Sequence, residues 1–238
     1  MRVGVIQSNY CPFRGYFDFI NSVDLFVFHD DLQFTKQDWR NRNKIKTPNG
    51  LIWLTVPVKK HPTATLIDEV DIAGNEWIKE HKRLLTQHLG AAPYFRDMMD
   101  LWSVCEYEHF MLSQLNISLI RRINRYLGIT TEIIRSRTLG LTGTKTDRLI
   151  DLMKKVGGTT YLSGPAAKAY LNVTQMNDNG IQVEWKEYNY QPYPQLHGPF
   201  EYFVSVLDLI ANCGPDAKNH IKSYTDDEMR AWCPHWNQ

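Results

Sequence analysis

The run Gln33-Phe34-Thr35-Lys36-Gln37-Asp38-Trp39-Arg40-Asn41-Arg42-Asn43-Lys44-Ile45-Lys46 puts five cations into the eleven residues from Lys36 to Lys46. Arginine forks grip phosphate bidentately and lysines add point charge, so a phosphate or diphosphate is the ligand such a loop would take. Two other readings stay open. One is a solvated edge strand whose charges discourage aggregation; the other is a contact for a nucleic-acid strand. The interleaved Trp39, Asn41 and Asn43 favour the phosphate reading, because a purely solvated edge has little use for them. Lys36, Arg40, Arg42 and Lys44 are the candidate phosphate grip.

Other chemistry-bearing residues follow short apolar runs. Gln7, Ser8, Asn9 and Tyr10 follow RVGVI; His29, Asp30 and Asp31 follow LFVF; Ser136, Arg137 and Thr138 follow TEIIR; Ser163 and Gly164 follow TYL. In open α/β sheets, ligands bind outside the carboxyl ends of the strands, so these four places are where a polar site should be built. Ser163 and Gly164 also precede Pro165, a first-turn signal, which suits an anion at a helix N-terminus. Further along, YNYQPYPQLHGPF offers Tyr188, Tyr190 and Tyr193 for stacking a base or sugar, beside Gln195 and the base candidate His197; a packed aromatic loop is the equal alternative. His61, His81, His88 and His109 lie on separate elements without ligand spacing, so no metal site is expected. The four cysteines, Cys11, Cys105, Cys213 and Cys233, form no CxxC pair and read as reduced thiols.

The elements that must hold these residues begin with a strand, a loop broken by Pro12 and Gly15, a short helix and a second strand, all within about 30 residues, the span of a βαβ unit. Later patterns predict a strand over 51–59, a weak one over 66–72, helices over 75–90, 93–102 and 106–127, and a strand over 131–135. A helix over 144–156 ends at Gly157-Gly158, and a brief strand at 160–162 leads into a helix from Pro165 to Leu171. A strand over 181–188 and a helix over 204–211 complete the pattern. The fold class is therefore α/β, an open, mostly parallel Rossmann-like sheet. The chain reads as a single domain, 1–238, with a helical subdomain at about 75–127. The loop Pro12-Phe13-Arg14-Gly15-Tyr16 parallels the one in which nucleotidylyltransferases carry His-x-Gly-His over ATP, but Phe13 and Tyr16 stand at the histidine positions. Adenylyl transfer would therefore lack its usual electrophilic donors.

In 238 residues, 27 Lys and Arg face 26 Asp and Glu, a formal charge of +1 that argues against general nucleic-acid binding. Apolar residues at 43% and charged ones at 22% match an ordinary folded domain. No run approaches the 18 or so apolar residues of a membrane span. The apolar start breaks after Ile6, so a cytoplasmic location is expected.

Taken together, GVIQSNYCPFRGYFDFI, VDLFVFHDDLQF-K, WRNRNKIK, WLTVPVK, the K-T-x-R-L from Lys145, YLSG at 161–164, and YPQ followed by SVLDLIANCG resemble the WbqC-like family, from Val3 to Gly214. The resemblance implies a cytoplasmic bacterial or phage protein encoded with O-antigen, lipopolysaccharide or other surface-polysaccharide genes. It implies a transferase that attaches an acyl or aminoacyl group, such as glycine, to an amino sugar, with a nucleotide-linked sugar as substrate. Matching positions include Gln7, Tyr10, Gly15, Tyr16, Asp30, Gln33, Lys36, Arg40, Asn41, Arg42, Lys44, Ser163, Gly164, Gln195, Asp208, Asn212 and Gly214. For the amide-forming transfer that the resemblance implies, Asp30 or His29 would serve as the base, with Gln7 and Asn41 donating hydrogen bonds. No tightly bound cofactor is expected; ATP or an activated acyl or aminoacyl donor would visit. An ATP-dependent ligase, a nucleotidylyltransferase relative and a non-catalytic sugar-nucleotide binder remain as alternatives, and a homodimer is compatible with all of them.

Overall fold

The computed structural model describes residues 1–107, 109–224 and 228–229. Strand β1 (Arg2–Ile6), helix α1 (Arg14–Asn21) and strand β2 (Leu25–Phe28) form the expected opening unit, with β1 and β2 parallel and Val3 opposite Leu25. Strands β5 (Glu132–Arg135), β6 (Thr160–Ser163) and β7 (Gln182–Trp185) complete a five-stranded, all-parallel sheet in the order β5-β2-β1-β6-β7. The chain therefore builds outward from β1 to one side, then crosses over and builds to the other. That reversal places a switch point between β1 and β6, where the loops diverge and leave a crevice.

Alternation along the strands sorts side chains between two cores, as a period of two requires. Phe26 and Phe28 enter a large core with Phe17, Phe19 and Ile20 of α1, whereas Val3, Val5, Leu25 and Val27 enter a smaller one. The smaller core is closed by α5 (Lys145–Val156) and α6 (Val173–Asp178). Gly4 lets α1 lie close to the sheet, since a Cβ there would come within 2.5 Å of the Phe19 ring.

Everything between β2 and β5 is carried on the α1 side. It comprises an antiparallel hairpin, β3 (Arg42–Thr47) and β4 (Gly50–Thr55), followed by α2 (Glu76–Leu89), α3 (Phe95–Trp102) and α4 (Leu112–Leu127). Leu85, Leu89, Met98, Leu115 and Leu119 from these helices share the large core with Phe26 and with α7 (Val206–Cys213). The tail of α4 stops at Gly128, whose φ of 73° is the left-handed geometry that glycine allows.

Three local expectations change. The strand expected over 66–72 is one 3-10 turn, Ile67–Glu69, flanked by isolated bridges, because Asp68 N–H donates to Asp30 O at 3.1 Å. Helix α4 starts at Leu112 because Met111 pairs with Asp71 and Leu112 N–H donates to Val70 O at 2.9 Å. Pro165–Ala169 is a 3-10 turn rather than the start of a helix to Leu171. The helix there, α6, begins after Asn172, whose side chain accepts from the Gln175 N–H. Cys11, Cys105 and Cys213 are buried free thiols, and Cys233 lies outside the described residues. Among the described residues no helix is long and apolar enough to cross a membrane.

Candidate functional site

The segment from Gln7 to Phe13 leaves β1 at the carboxyl edge of the sheet and divides two concavities. Its backbone is held by the cation-rich run: Tyr10 N–H donates to Trp39 O at 3.0 Å, and Asn43 Nδ2 donates to Cys11 O at 2.8 Å. Asn116 of α4 locks both, its Nδ2 reaching Arg40 O at 2.8 Å and Ser8 Oγ at 3.4 Å. The basic run thus folds back over the opening strand, but its cationic heads diverge.

Arg42 and Lys44 project from alternate positions of β3 onto the indole of Trp53, with Arg42 Cζ 4.1 Å and Lys44 Nζ 4.8 Å from a ring centroid. Hairpin register produces this, since Lys44 lies directly opposite Trp53. Trp53 also meets Trp39 with ring centroids 5.5 Å apart, and both indoles are about two-fifths exposed, at 39% and 41%. Trp39 walls a cavity of about 240 Å³ with Asn9, Pro12, Phe13, Asn43 and Phe203. Asn9 Oδ1 is buried there without a hydrogen-bond partner. An apolar hollow with an unmet acceptor and one indole in its wall matches the composition of small-molecule sites, and Trp39 links it to the Trp53 ring on which Arg42 and Lys44 lie.

The remaining cations go elsewhere. Arg40 pairs with Asp38 at 3.0 Å. Lys46 is buried, its Nζ donating to Gln195 Oε1 at 2.9 Å, to Gly198 O at 3.1 Å and to Pro199 O. Lys36 lines a separate cleft with Asn41, Lys59, Lys60 and His61. Gln33 donates to Thr63 O at 2.9 Å.

On the α5 side, Gln7, His29, Lys145, Thr146, Arg148 and Tyr170 line a polar cavity of about 150 Å³. His29 Nε2 accepts from Arg148 Nε at 3.2 Å, and Arg148 Nη2 donates to Asp31 Oδ2 at 2.5 Å. Burial pushes His29 down to about 4, with Asp31 opposing and Arg148 reinforcing the shift, so its imidazole is neutral at pH 7. Asp30 is buried, Oδ1 accepting from Ser8 N–H at 2.7 Å and Oδ2 from the Ser113 hydroxyl. Burial raises its carboxyl above the usual range, against the hydrogen bonds from Ser113 and Ser8.

The other sequence-derived candidates fall outside both concavities. Tyr10 is fully buried, its hydroxyl 2.9 Å from His81 Nδ1 and accepting from Trp102 Nε1 at 3.0 Å. Tyr16 donates to Gln7 O at 2.9 Å, fixing the end of β1. Ser163 is buried and followed by a 3-10 turn, so no helix terminus is presented there. Gln195 Nε2 donates to Asp208 Oδ1 at 2.8 Å, while His197 Nε2 lies 2.6 Å from His88 O. Sequence reasoning missed Trp53 and Phe203 as site residues, whereas Asn9 is among the polar residues expected after the first strand. The Asn49-Gly50 turn was the available signal for Trp53, because a tight hairpin there fixes which residues oppose β3.

The model of the WbqC-like protein family matches residues 7–220 of the chain. The uncharacterized protein Rv1507c of Mycobacterium tuberculosis is 43% identical over 226 residues, covering 93% of this chain and 97% of that one. No solved structure matches the chain.

Proposed function

The chain belongs to the WbqC-like protein family, and from that premise we propose a transferase that holds a nucleotide-linked amino sugar and attaches an acyl or aminoacyl group, such as glycine, to its amine. The observation that supports this reading is the Trp39–Trp53 pair with Arg42 and Lys44 laid over the Trp53 ring. Exposed indole faces stack a base or a sugar ring, at about 1–3 kcal/mol per base. Arg42 and Lys44, which pair with no carboxylate among the described residues, meet the diphosphate beside that face.

Amide formation needs an uncharged amine, so a base must first take a proton from the sugar's ammonium. The amine then attacks the donor's carbonyl, the oxyanion collapses, and the leaving group departs with the displaced electron pair while the nitrogen's surplus proton passes to it. In this reading His29 is the base: it is neutral and lines the polar cavity beside Gln7, the candidate oxyanion donor, and it takes the proton at Nε2 once Arg148 Nε releases that lone pair. Asp30 suits a structural role, both of its oxygens being occupied by protein donors. The activated acyl or aminoacyl donor, or ATP, arrives as a co-substrate. This reading places the protein in the cytoplasm, in the assembly of O-antigen or another surface polysaccharide.

The occupied state of Asp30 and the Arg148 contact on His29 Nε2 favour a second reading, a sugar-nucleotide binder without turnover. A thermal-shift screen of nucleotide-linked amino sugars, acyl thioesters and ATP, followed by mass spectrometry of mixtures, separates the two, since a ligand bound by the native fold raises its melting point. A sugar gaining the mass of the acyl group supports transfer; stabilisation without any product supports the binder; no stabilisation by any nucleotide sugar contradicts both.

A further inference from the structure

The cleft beyond the cation-rich run, about 530 Å³ in volume, has Phe34, Lys36, Asn41, Lys59, Lys60 and His61 in its lining. Its charge is one-sided. Lys59 is paired with Asp71 at 3.2 Å, but among the described residues neither Lys36 nor Lys60 has a carboxylate partner. Such a concentration of ammonium groups favours an anion.

The wall carries a second demand. Asn41 is 7% exposed; its Nδ2 donates to Val56 O at 2.9 Å, and its Oδ1 is buried with no partner. His61 Nδ1 lies 3.0 Å from Pro62 O, which places the ring proton on Nδ1 and leaves Nε2 a bare acceptor, also buried and unpartnered. A buried acceptor without a donor is costly, so both call for an O–H or N–H. Phe34 holds the His61 ring edge-on, with centroids 5.2 Å apart at 83°, and supplies an apolar floor.

We propose that this cleft is a second ligand site, separate from the Trp53 platform, for a phosphorylated polyol of the sugar-phosphate class. Lys36 and Lys60 take the phosphate, while hydroxyls of the sugar donate to Asn41 Oδ1 and His61 Nε2. Neither charge alone nor a neutral sugar alone satisfies both halves. The proposal does not rest on the sugar-nucleotide reading, because none of its anchoring residues touches the indole pair.

Isothermal titration with ribose 5-phosphate, inorganic phosphate and ribose tests it in full-length Trp53→Ala protein, so that the aromatic platform cannot answer for the cleft. Ribose 5-phosphate is expected to bind at least tenfold more tightly than inorganic phosphate, with no heat from ribose. Adding Lys36→Ala and Lys60→Ala is expected to weaken it at least tenfold, and Asn41→Leu to erase the advantage over inorganic phosphate. Absence of ribose 5-phosphate binding, parity with inorganic phosphate before Asn41 is changed, or undiminished affinity without the two lysines would overturn the proposal.

Discussion

Asp30 shows how burial decides what a carboxylate does. At the end of β2 it looks like a base, yet both oxygens are committed, to the Ser8 amide at 2.7 Å and to the Ser113 hydroxyl. Asp30→Ala would leave two buried donors unmet, so it should cost about 2–5 kcal/mol of stability by urea unfolding. Asp30→Asn, which keeps one acceptor oxygen, should cost less; equal stability of Asp30→Ala and wild type would contradict the assignment. His29 and His81 make the opposite case, since burial brings each down to about 4. The unfolded chain binds protons at these sites below about 6.5, whereas the native one does so only near 4. Stability therefore falls on acidification between those values, by up to about 3 kcal/mol per histidine. The raised carboxyls of Asp30 and Asp208 act in the other direction in acid, since the native state protonates them first. Ring-proton chemical shifts separate the contributions: those of His29 and His81 should stay at neutral-imidazole positions down to pH 5, and an inflection near 6.5 in either would refute the shift.

At the scale of elements, a buried amine ties β3 to the C-terminal part of the chain. Lys46 Nζ is tied to Gln195, and Gln195 Nε2 to Asp208 of α7 and to Glu201 O at 3.2 Å. Gln195→Ala should therefore free the segment from residue 195 to 204 and speed its amide exchange at least tenfold while leaving β1 protected; unchanged exchange there would show that packing of Phe200 on Tyr193 suffices. The elements that were legible in sequence are those that local chemistry determines. RVGVI and LFVF are apolar runs buried in a parallel sheet, and Gly128 and Gly157 end their helices in left-handed geometry at φ 73° and 69°. The illegible ones answer to distant partners. The sequence from Glu106 has helical periodicity, but Ile72 N–H donates to Phe110 O at 2.8 Å, and that long-range pairing holds residues 109–111 outside α4. The alternation at 66–72 gives way to a turn, whose Asp68 is gripped by Arg137 from beyond β5.

On the scale of the whole molecule, the sheet order puts β1 at a switch point, and the loop after it separates an aromatic hollow on the α1 face from a polar one on the α5 face. The sequence showed that cations gather between Lys36 and Lys46 and that polar residues follow the strands. It could not show that strand alternation and hairpin pairing would send Arg42 and Lys44 to Trp53, Lys46 inward and Lys36 to another cleft, because one-dimensional spacing carries no sidedness until the turn at Asn49-Gly50 is placed. The aromatic hollow is the part of the account on which the rest depends. Calorimetric titration of nucleotide-linked amino sugars into wild-type, Trp53→Ala and Arg42→Ala proteins tests it most directly. Both side chains are partly exposed, so these variants should melt within a few degrees of wild type. The account predicts that at least one such sugar binds wild type and that each substitution weakens it more than tenfold, about 1.4 kcal/mol or more; undiminished affinity in both variants, or no binding of any nucleotide sugar to wild type, would contradict it.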